Sequence, residues 1–287
     1  MTEKWGAEMN FDSLDFGTYV LRAPERLMLE AMLRRRNGAN VAILEGPPGT
    51  GKTSLGEAFA NALGTQCIYY LCHRWTSDEE MFVGVDVGAV AAGVEKKEDA
   101  YRPGFLLRAV MASQQGPVVV IIDEMDKAPE RAETLLLDFL QTGRVHGPNG
   151  EVWQGTLGNL YIFITTNGLR PLMEPTLRRG FRLRMEFLPA NVEADILRKS
   201  TGAPTGAIRA VVRMANVIRT KGATSVSLQE MRHLLEDMTI AKSTADVAIL
   251  LRGWLVKDAA DSAALDEEFG GKAAAVLWGE WKREKGI

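Results

Sequence analysis

Short apolar runs separated by amphipathic segments dominate the first two thirds of the chain. Continuous runs rich in β-branched residues are typical of strands buried on both faces of a parallel sheet, and they occur at residues 41–44, 118–122 and 160–166. Residues 66–71 are predicted as a further strand. A last strand is predicted after Phe181, because apolar and charged side chains alternate there with the period of two expected of a strand.

Segments with apolar residues on one helical face lie between these strands. They span residues 24–36, 55–63, 76–81, 103–113 and 129–142. Because strands that alternate with helices form parallel sheets, we predict an α/β fold, a five-stranded parallel αβα sandwich. Residues 84–104, rich in glycine and charged at 95–99, are predicted as a surface insertion, and residues 144–154 as a hairpin with a turn at Asn149-Gly150.

The pattern changes at Pro189, after which only helices are predicted. A length of 287 residues fits two domains. We therefore predict an α/β core over residues 1–189 and an all-α helical lid domain over residues 190–287. The predicted helices of the second domain span residues 192–199, 205–220, 227–241 and 243–258, with a final helix that carries Trp278 and Trp281.

The stretch from Glu45 to Thr53 lies between a predicted strand and a predicted helix and is rich in glycine. This context is typical of a phosphate-binding loop, because glycines let the backbone N–H groups point inward at the positive end of the following helix. The lysine adds a charge for the β- and γ-phosphates, and the threonine hydroxyl is a ligand for Mg²⁺. The alternative is a glycine-rich turn with a chance lysine. We predict that ATP or ADP is bound by Gly46, Pro47, Pro48, Gly49, Thr50, Gly51, Lys52, Thr53 and Ser54.

Polar residues follow two further strands at the sheet edge where ligands of parallel sheets bind. Asp123 and Glu124 come directly after the run at 118–122. The first carboxylate is expected to hold Mg²⁺ together with Thr53, and the second to orient the attacking water. Asn167 follows the strand at 160–166 and is a candidate for binding the water or the γ-phosphate, although such a residue is also common in turns.

Two arginines, Arg178 and Arg179, lie shortly before the last predicted strand. An arginine placed on a transferring phosphate contributes ~10³-fold or more in rate. Both are therefore candidate catalytic residues. The alternative is a basic surface loop that pairs with acidic side chains.

The order of these motifs resembles that of AAA+ ATPases. Residues 46–53 are similar to the Walker A motif, and residues 118–124, followed by Met-Asp-Lys-Ala-Pro, are similar to the Walker B motif. Asn167 matches sensor 1, and the helical tail matches the lid of that family. The resemblance covers roughly residues 20–260 and implies an ATPase with Mg²⁺ as cofactor.

Three features resemble the MoxR and CbbQ branch more narrowly. They are the stretch at 101–109, the hairpin at 144–154, which matches a pre-sensor 1 hairpin, and the sequence at 177–179. The resemblance implies a ring, usually a hexamer, in which an arginine of one subunit reaches the ATP of the next. It also implies remodelling of a protein partner, often one with a von Willebrand A domain.

Two positions depart from the family pattern. Gly180 stands where many relatives have an arginine directly before the phenylalanine, so the trans-acting role falls to Arg178 or Arg179. Gln229 stands where the family has its sensor 2 arginine. Either Arg232 substitutes for it or this contact is missing.

Composition and charge narrow the choice of function. The net charge of −3 disfavours a general nucleic-acid binder, although a local basic patch remains compatible with it. No apolar run reaches the ~18 residues of a membrane span, and the first residues lack an apolar signal core, so we expect a cytoplasmic protein. Cys67 and Cys72 are expected to be buried and unbridged.

Three functions are consistent with these observations. The leading one is an ATP-driven motor that remodels a protein. The second is a nucleic-acid motor or loader on the same core, which needs a basic groove. The third is a nucleotide-dependent scaffold with negligible turnover, and Lys52, Asp123 and Glu124 together argue against it.

Overall fold

The computed structural model describes residues 10–35, 38–93 and 100–285, with side chains as far as Arg283. The end of the predicted helix at 24–36 and the charged tip at 95–99 lie outside these residues. The strands are β1 (Asn40–Glu45), β2 (Gln66–Leu71), β3 (Val83–Val85), β4 (Tyr101–Pro103), β5 (Val118–Asp123), β6 (Arg144–His146), β7 (Val152–Gln154), β8 (Leu160–Thr166) and β9 (Phe181–Arg184). The helices are α1 (Ala23–Arg34), α2 (Lys52–Leu63), α3 (Asp78–Met81), α4 (Val87–Ala91), α5 (Phe105–Ser113), α6 (Glu130–Thr142), α7 (Glu174–Leu177), α8 (Ala190–Thr201), α9 (Thr205–Lys221), α10 (Leu228–Asp237), α11 (Thr244–Trp254), α12 (Ala259–Phe269) and α13 (Ala273–Lys285).

Five strands form a parallel sheet in the order β2-β5-β8-β1-β9. The three central strands are the continuous apolar runs of the sequence, and their apolar side chains are buried on both faces. The predicted fold class is confirmed: a five-stranded parallel α/β sheet with flanking helices, followed by a helical region. The carboxyl ends of all five strands meet at one edge, which we call the carboxyl edge.

Each face of the sheet packs against its own helices. Phe105 of α5 and Phe139 of α6 lie in the core on one face, and Phe59 of α2 lies with the residues of α1 on the other. Helix α2 approaches the sheet closely, because a β-carbon on Gly56 would lie 2.8 Å from the side chain of Ile121. The first turn of α2 is thereby held near the carboxyl edge.

Two compact units make up the chain. Of the described residues, those up to Gly46 and from Gly51 to Met185 form the α/β unit, and residues 47–50 with 186–285 form the helical unit. The helical unit has its own apolar core from α8 to α13. Arg219 and Glu193 form a buried ion pair within it, at 2.9 Å. Within the described ranges, no helix has both the length and the apolar character to cross a lipid bilayer.

Helix α12 is the largest element that the sequence pattern did not predict. It is rich in alanine and buries few large side chains, so it lacks the apolar stripe by which amphipathic helices are recognised. A buried carboxylate holds it in place. Asp261 accepts hydrogen bonds from the backbone N–H groups of Ala223 and Thr224 at 2.9 and 3.1 Å, and from the Thr224 hydroxyl at 2.7 Å.

Two short hairpins of the α/β unit contact each other. β3 pairs antiparallel with β4, and β6 pairs antiparallel with β7. The hydroxyl of Tyr101, in β4, donates to the Glu151 carboxylate at 2.6 Å and accepts from the Asn149 amide at 2.6 Å. Its ring meets Trp153 edge-on, with centroids 6.1 Å apart. We call β3–β4 and β6–β7 the paired hairpins.

The expectation that both cysteines are buried is wrong for Cys67. Cys72 is buried, but Cys67 is exposed. Strand β2 is at the edge of the sheet, and its side chains are consequently less covered than those of the three central strands. Both thiols are free, as predicted.

Candidate active site

The loop that joins β1 to α2 carries the predicted phosphate-binding motif. Gly46, Gly49 and Gly51 have φ angles of 156°, 81° and 88°, which favour glycine over residues with a β-carbon. Packing adds a second constraint at Gly46, where a β-carbon would overlap the carbonyl oxygen of Met185. This backbone therefore needs its glycines, and it leads directly into Lys52 at the start of α2.

The other predicted loop residues differ in exposure. The Thr50 hydroxyl is buried and donates to the carbonyl oxygen of Pro47 at 2.9 Å, which closes a tight turn. Pro48 is exposed at the outer side of this turn. Ser54 is also exposed, on the first turn of α2.

Lys52 is buried and points back over its own loop. Its Nζ donates to the carbonyl oxygen of Gly46 at 2.8 Å. Burial lowers the pKa of Lys52 below its ordinary value, and the carboxylates of Asp123, Asp126 and Glu124 oppose that shift. A cation inside a glycine-rich turn at a helix N-terminus is well placed to meet a phosphate group.

Asp123, at the end of β5, is held by hydroxyl groups. Its Oδ1 accepts from the hydroxyls of Thr53, at 2.8 Å, and Thr165, at 2.6 Å, and its Oδ2 accepts from the Tyr69 hydroxyl at 2.9 Å. Burial, and then the bond to Asp123, raise the pKa of Tyr69 above its ordinary value, which keeps this phenol a donor. A hydroxyl and a carboxylate are oxygen ligands of the kind that Mg²⁺ prefers. Thr53 and Asp123 therefore fit the metal predicted for them.

Glu124 has an uncommon backbone conformation. Its φ is 53°, and among the described residues it alone has a positive φ without being glycine. Left-handed backbone costs such a residue roughly 1–2 kcal/mol, and strain of this kind is concentrated at functional sites. The backbone N–H of Glu124 donates to the Thr165 hydroxyl at 2.9 Å, which helps to hold the strained turn.

Both oxygens of the Glu124 side chain are engaged. Oε1 accepts from the Asn167 amide at 2.8 Å, and Oε2 accepts from Nζ of Lys127. The structure thus brings together two residues that are 43 positions apart in the sequence. Asn167 contacts the carboxylate directly, so its side chain has a defined place beside Glu124.

Sequence reasoning missed a set of charged residues that support this pair. The Asp126 carboxylate accepts from the backbone N–H groups of Asn167 and Leu169 at 3.2 and 2.9 Å. Arg170 donates to Glu133 at 2.6 Å and to two carbonyl oxygens of the turn after β5. Their only sequence signal is their position shortly after Glu124 and Asn167. The loops that follow β5 and β8 are consequently tied to each other.

The two candidate arginines differ in their contacts. Arg178 is exposed and pairs only with Glu174, one helical turn earlier, among the residues that the structure describes. Arg179 is held within its own subunit, since it donates to the carbonyl oxygen of Pro175 at 2.7 Å and to Gln141 at 3.0 Å. Arg178 is therefore the freer of the two side chains.

Packing explains why position 180 has no arginine. A β-carbon on Gly180 would lie 2.8 Å from the side chain of Ile43 and 3.0 Å from that of Val41, both in β1. Any larger residue would press against this central strand.

The two sensor 2 candidates lie in the helical unit, on α10. Gln229 is exposed, and Nε of Arg232 lies 3.5 Å from a carboxylate oxygen of Glu236 on the same helix.

Part of this chain matches a known protein family. Residues 42–181 match the family described as AAA domain (dynein-related subfamily). This range runs from β1 to the start of β9 and contains the loop, Asp123, Glu124 and Asn167.

Individual similar proteins align with this chain over only part of their own length. The Holliday junction branch migration complex subunit RuvB of Aliarcobacter butzleri is 22% identical over 247 residues, which are 77% of this chain and 64% of that protein. A Lon protease of Frankia alni is 32% identical over 177 residues, which are 57% of this chain and 18% of that protein. Another, from Mycolicibacterium smegmatis, is 36% identical over 110 residues, 37% of this chain and 12% of that protein. The chain thus spans less than two thirds of each of these relatives.

The family match coincides with the parallel sheet and with the residues at its carboxyl edge. The helices α8 to α13 of the helical unit follow the matched range in the chain. The match of residues 42–181 to the AAA domain of the dynein-related subfamily therefore supports an AAA+ ATPase domain in this chain.

Proposed function

We propose that the protein hydrolyses ATP in a Mg²⁺-dependent reaction and uses the energy to remodel or activate a protein partner. A cluster of polar residues at the carboxyl edge supports the proposed ATP hydrolysis. Hydrogen bonds of 2.6 to 2.9 Å, direct or through Thr165, join its members Thr53, Asp123, Glu124 and Asn167. The second part rests on the resemblance to the MoxR and CbbQ branch.

Each residue has a separate task in this proposal. Lys52 and the N–H groups of the loop bind the phosphates of ATP, and Lys52 exchanges its bond to the Gly46 carbonyl for a charged phosphate oxygen. Thr53 and Asp123 hold Mg²⁺. The bound metal neutralises charge on the phosphates when it is present.

Glu124 orients and deprotonates the attacking water as the general base. Asn167 orients the Glu124 carboxylate through its hydrogen bond. When Glu124 turns toward the water, the Asn167 amide can donate to the γ-phosphate instead. Lys127 must release the second carboxylate oxygen for the base to act. The strained backbone of Glu124 keeps the side chain over the edge of the sheet.

A phosphate-release assay tests the proposed activity. We expect ATP hydrolysis that requires Mg²⁺ and falls to background in excess chelator, because Thr53 and Asp123 then lack the metal. Asp123→Asn should also lose the activity, whereas the control Asp138→Asn, at an exposed position of α6, should retain it. Hydrolysis that persists without a divalent metal would contradict the proposal. Mg²⁺-dependent binding with negligible turnover would support the scaffold alternative.

We further propose that the protein assembles as a homo-hexameric ring in which Arg178 reaches the ATP of a neighbouring subunit. The freedom of Arg178 supports this choice over Arg179. A Lys52→Ala subunit still has Arg178 to act on the ATP of its neighbour. An Arg178→Ala subunit still has an intact nucleotide site that can receive the arginine of its neighbour. We expect a mixture of the two inactive proteins to recover part of the wild-type hydrolysis rate.

The mixing experiment needs a measure of subunit exchange, such as energy transfer between labelled subunits. Arg179→Ala is the matched comparison and should retain more activity alone than Arg178→Ala does. Absence of recovery despite demonstrated exchange would argue against catalysis between subunits. A Gly180→Arg change should not restore the finger, because the site beside β1 has no room for it.

The partner is proposed by its class only. The resemblance supports a protein client or adaptor, including one with a von Willebrand A domain. The match to a Holliday junction branch migration complex subunit supports a second candidate, a nucleic-acid motor. Salt-dependent binding to DNA would favour the second candidate, and its absence would favour a protein client.

A further inference from the structure

Tyr69 lies on the edge strand of the sheet, next to the strand that carries Asp123. In the parallel register of β2 and β5, Tyr69 is opposite Ile121 and Leu71 is opposite Asp123. Side chains two residues apart on a strand point to the same face. The side chain of Tyr69 therefore reaches the neighbouring strand β5, two residues beyond its register partner Ile121, where it meets Asp123 on the same face of the sheet.

The two oxygens of Asp123 are held differently. Oδ1 accepts two hydrogen bonds, from Thr53 and Thr165. Oδ2 accepts one, from the Tyr69 hydroxyl at 2.9 Å, and the described residues supply it with no other hydrogen-bond donor. The Thr53 oxygen can give a lone pair to Mg²⁺ while its O–H still donates to Oδ1 of Asp123. Tyr69 is then the donor that fixes the other oxygen, Oδ2.

We infer that Tyr69 is a positioning residue for the metal site: its hydroxyl fixes the rotation of the Asp123 carboxylate so that Oδ1 faces Thr53, the residue with which Asp123 would hold Mg²⁺. This inference rests on the proposed Mg²⁺-dependent ATPase function. Residues that orient a metal ligand typically change metal affinity by about 10- to 100-fold when they are removed. Tyr69 is half-exposed, so its ring is not needed to fill the core.

The variant Tyr69→Phe tests this inference, because it removes the hydroxyl and keeps the aromatic ring. Nucleotide binding by Tyr69→Phe is measured with a fluorescent ADP analogue in a titration with Mg²⁺, and again in excess chelator. We expect the Mg²⁺ concentration that gives half of the metal-dependent increase in nucleotide binding to rise about 10-fold. Affinity for the analogue without metal should not change, because Lys52 and the loop are untouched.

Tyr70→Phe is the matched control. It makes the same change at the next position, where the hydroxyl bonds Glu80 at 2.8 Å and Thr76 at 3.2 Å and the ring stacks on Phe105. This variant should show the wild-type Mg²⁺ requirement. Thermal melts of both variants in chelator check that folding is unaffected.

The possible outcomes separate the inference from the function it rests on. An unchanged Mg²⁺ requirement in Tyr69→Phe would overturn the inference and leave the ATPase proposal standing. An equal loss of affinity with and without Mg²⁺ would also overturn it, because Tyr69 would then support the loop and not the metal. If the wild-type protein itself showed no effect of Mg²⁺ on nucleotide binding, the proposed function would fail together with the inference.

Discussion

Replacement of Lys52 by alanine is expected to weaken nucleotide binding by about 10- to 100-fold and to remove ATP hydrolysis. A hydrogen bond to a charged group contributes about 1.5–3 kcal/mol, and a factor of ten in affinity corresponds to about 1.4 kcal/mol. Lys52 is buried in the loop and already directs its Nζ toward the turn at Gly46. Equilibrium binding of a fluorescent ADP analogue measures the loss.

Two further variants test whether the loss of affinity in Lys52→Ala comes from the loss of the positive charge at this position. Lys52→Met keeps most of the side-chain volume, so it should lose as much affinity as the alanine variant while the free energy of unfolding changes less. Lys199→Ala removes an exposed lysine of α8 and should bind like the wild type. Wild-type affinity in Lys52→Met would mean that the lysine does not contact the phosphates.

The change Glu124→Gln is expected to slow hydrolysis by about 10³-fold while ATP binding stays within a few-fold of the wild type. A positioned general base contributes about 10²–10⁴-fold to a rate. Glutamine keeps the length of the side chain and an acceptor for Asn167, but it cannot take a proton from water. Lys52, Thr53 and Asp123 remain in place, so the nucleotide and the metal should still bind.

Single-turnover hydrolysis and equilibrium binding on the same preparation separate the two effects. Glu130→Gln is the matched control, since Glu130 is exposed on the first turn of α6 and should not alter turnover. A loss of ATP affinity as large as the loss of rate would show that Glu124 acts in binding. Asn167→Ala should lower the rate by a smaller factor, because it frees Glu124 without removing it.

The fold and the ends of the strands could be predicted from the sequence because they depend on local patterns. A continuous apolar run at 118–122 predicts a buried strand, and a pair of acids after it can only lie at the end of that strand. The glycines before Lys52 likewise indicate a tight turn within a few residues, because they can adopt the positive φ angles that this turn uses. These features do not depend on which strands are neighbours.

Residues that act across strands were not predictable in the same way. Tyr69 and Thr165 reach Asp123 only because β5 lies between β2 and β8 in this register. Asp126 and Arg170 join two loops that are about 40 residues apart in the chain. Exposure of Cys67 also depends on strand order, since it follows from the edge position of β2.

The paired hairpins have a consequence for exchanging parts between related proteins. Tyr101 on one hairpin supplies a donor to Glu151 and an acceptor to Asn149 on the other, and its ring meets Trp153. A chimaera that imports either hairpin alone would leave the donors and acceptors of the other without these partners. Recipient and donor sequences would have to be joined outside residues 83–154, so that both hairpins are inherited together as one module.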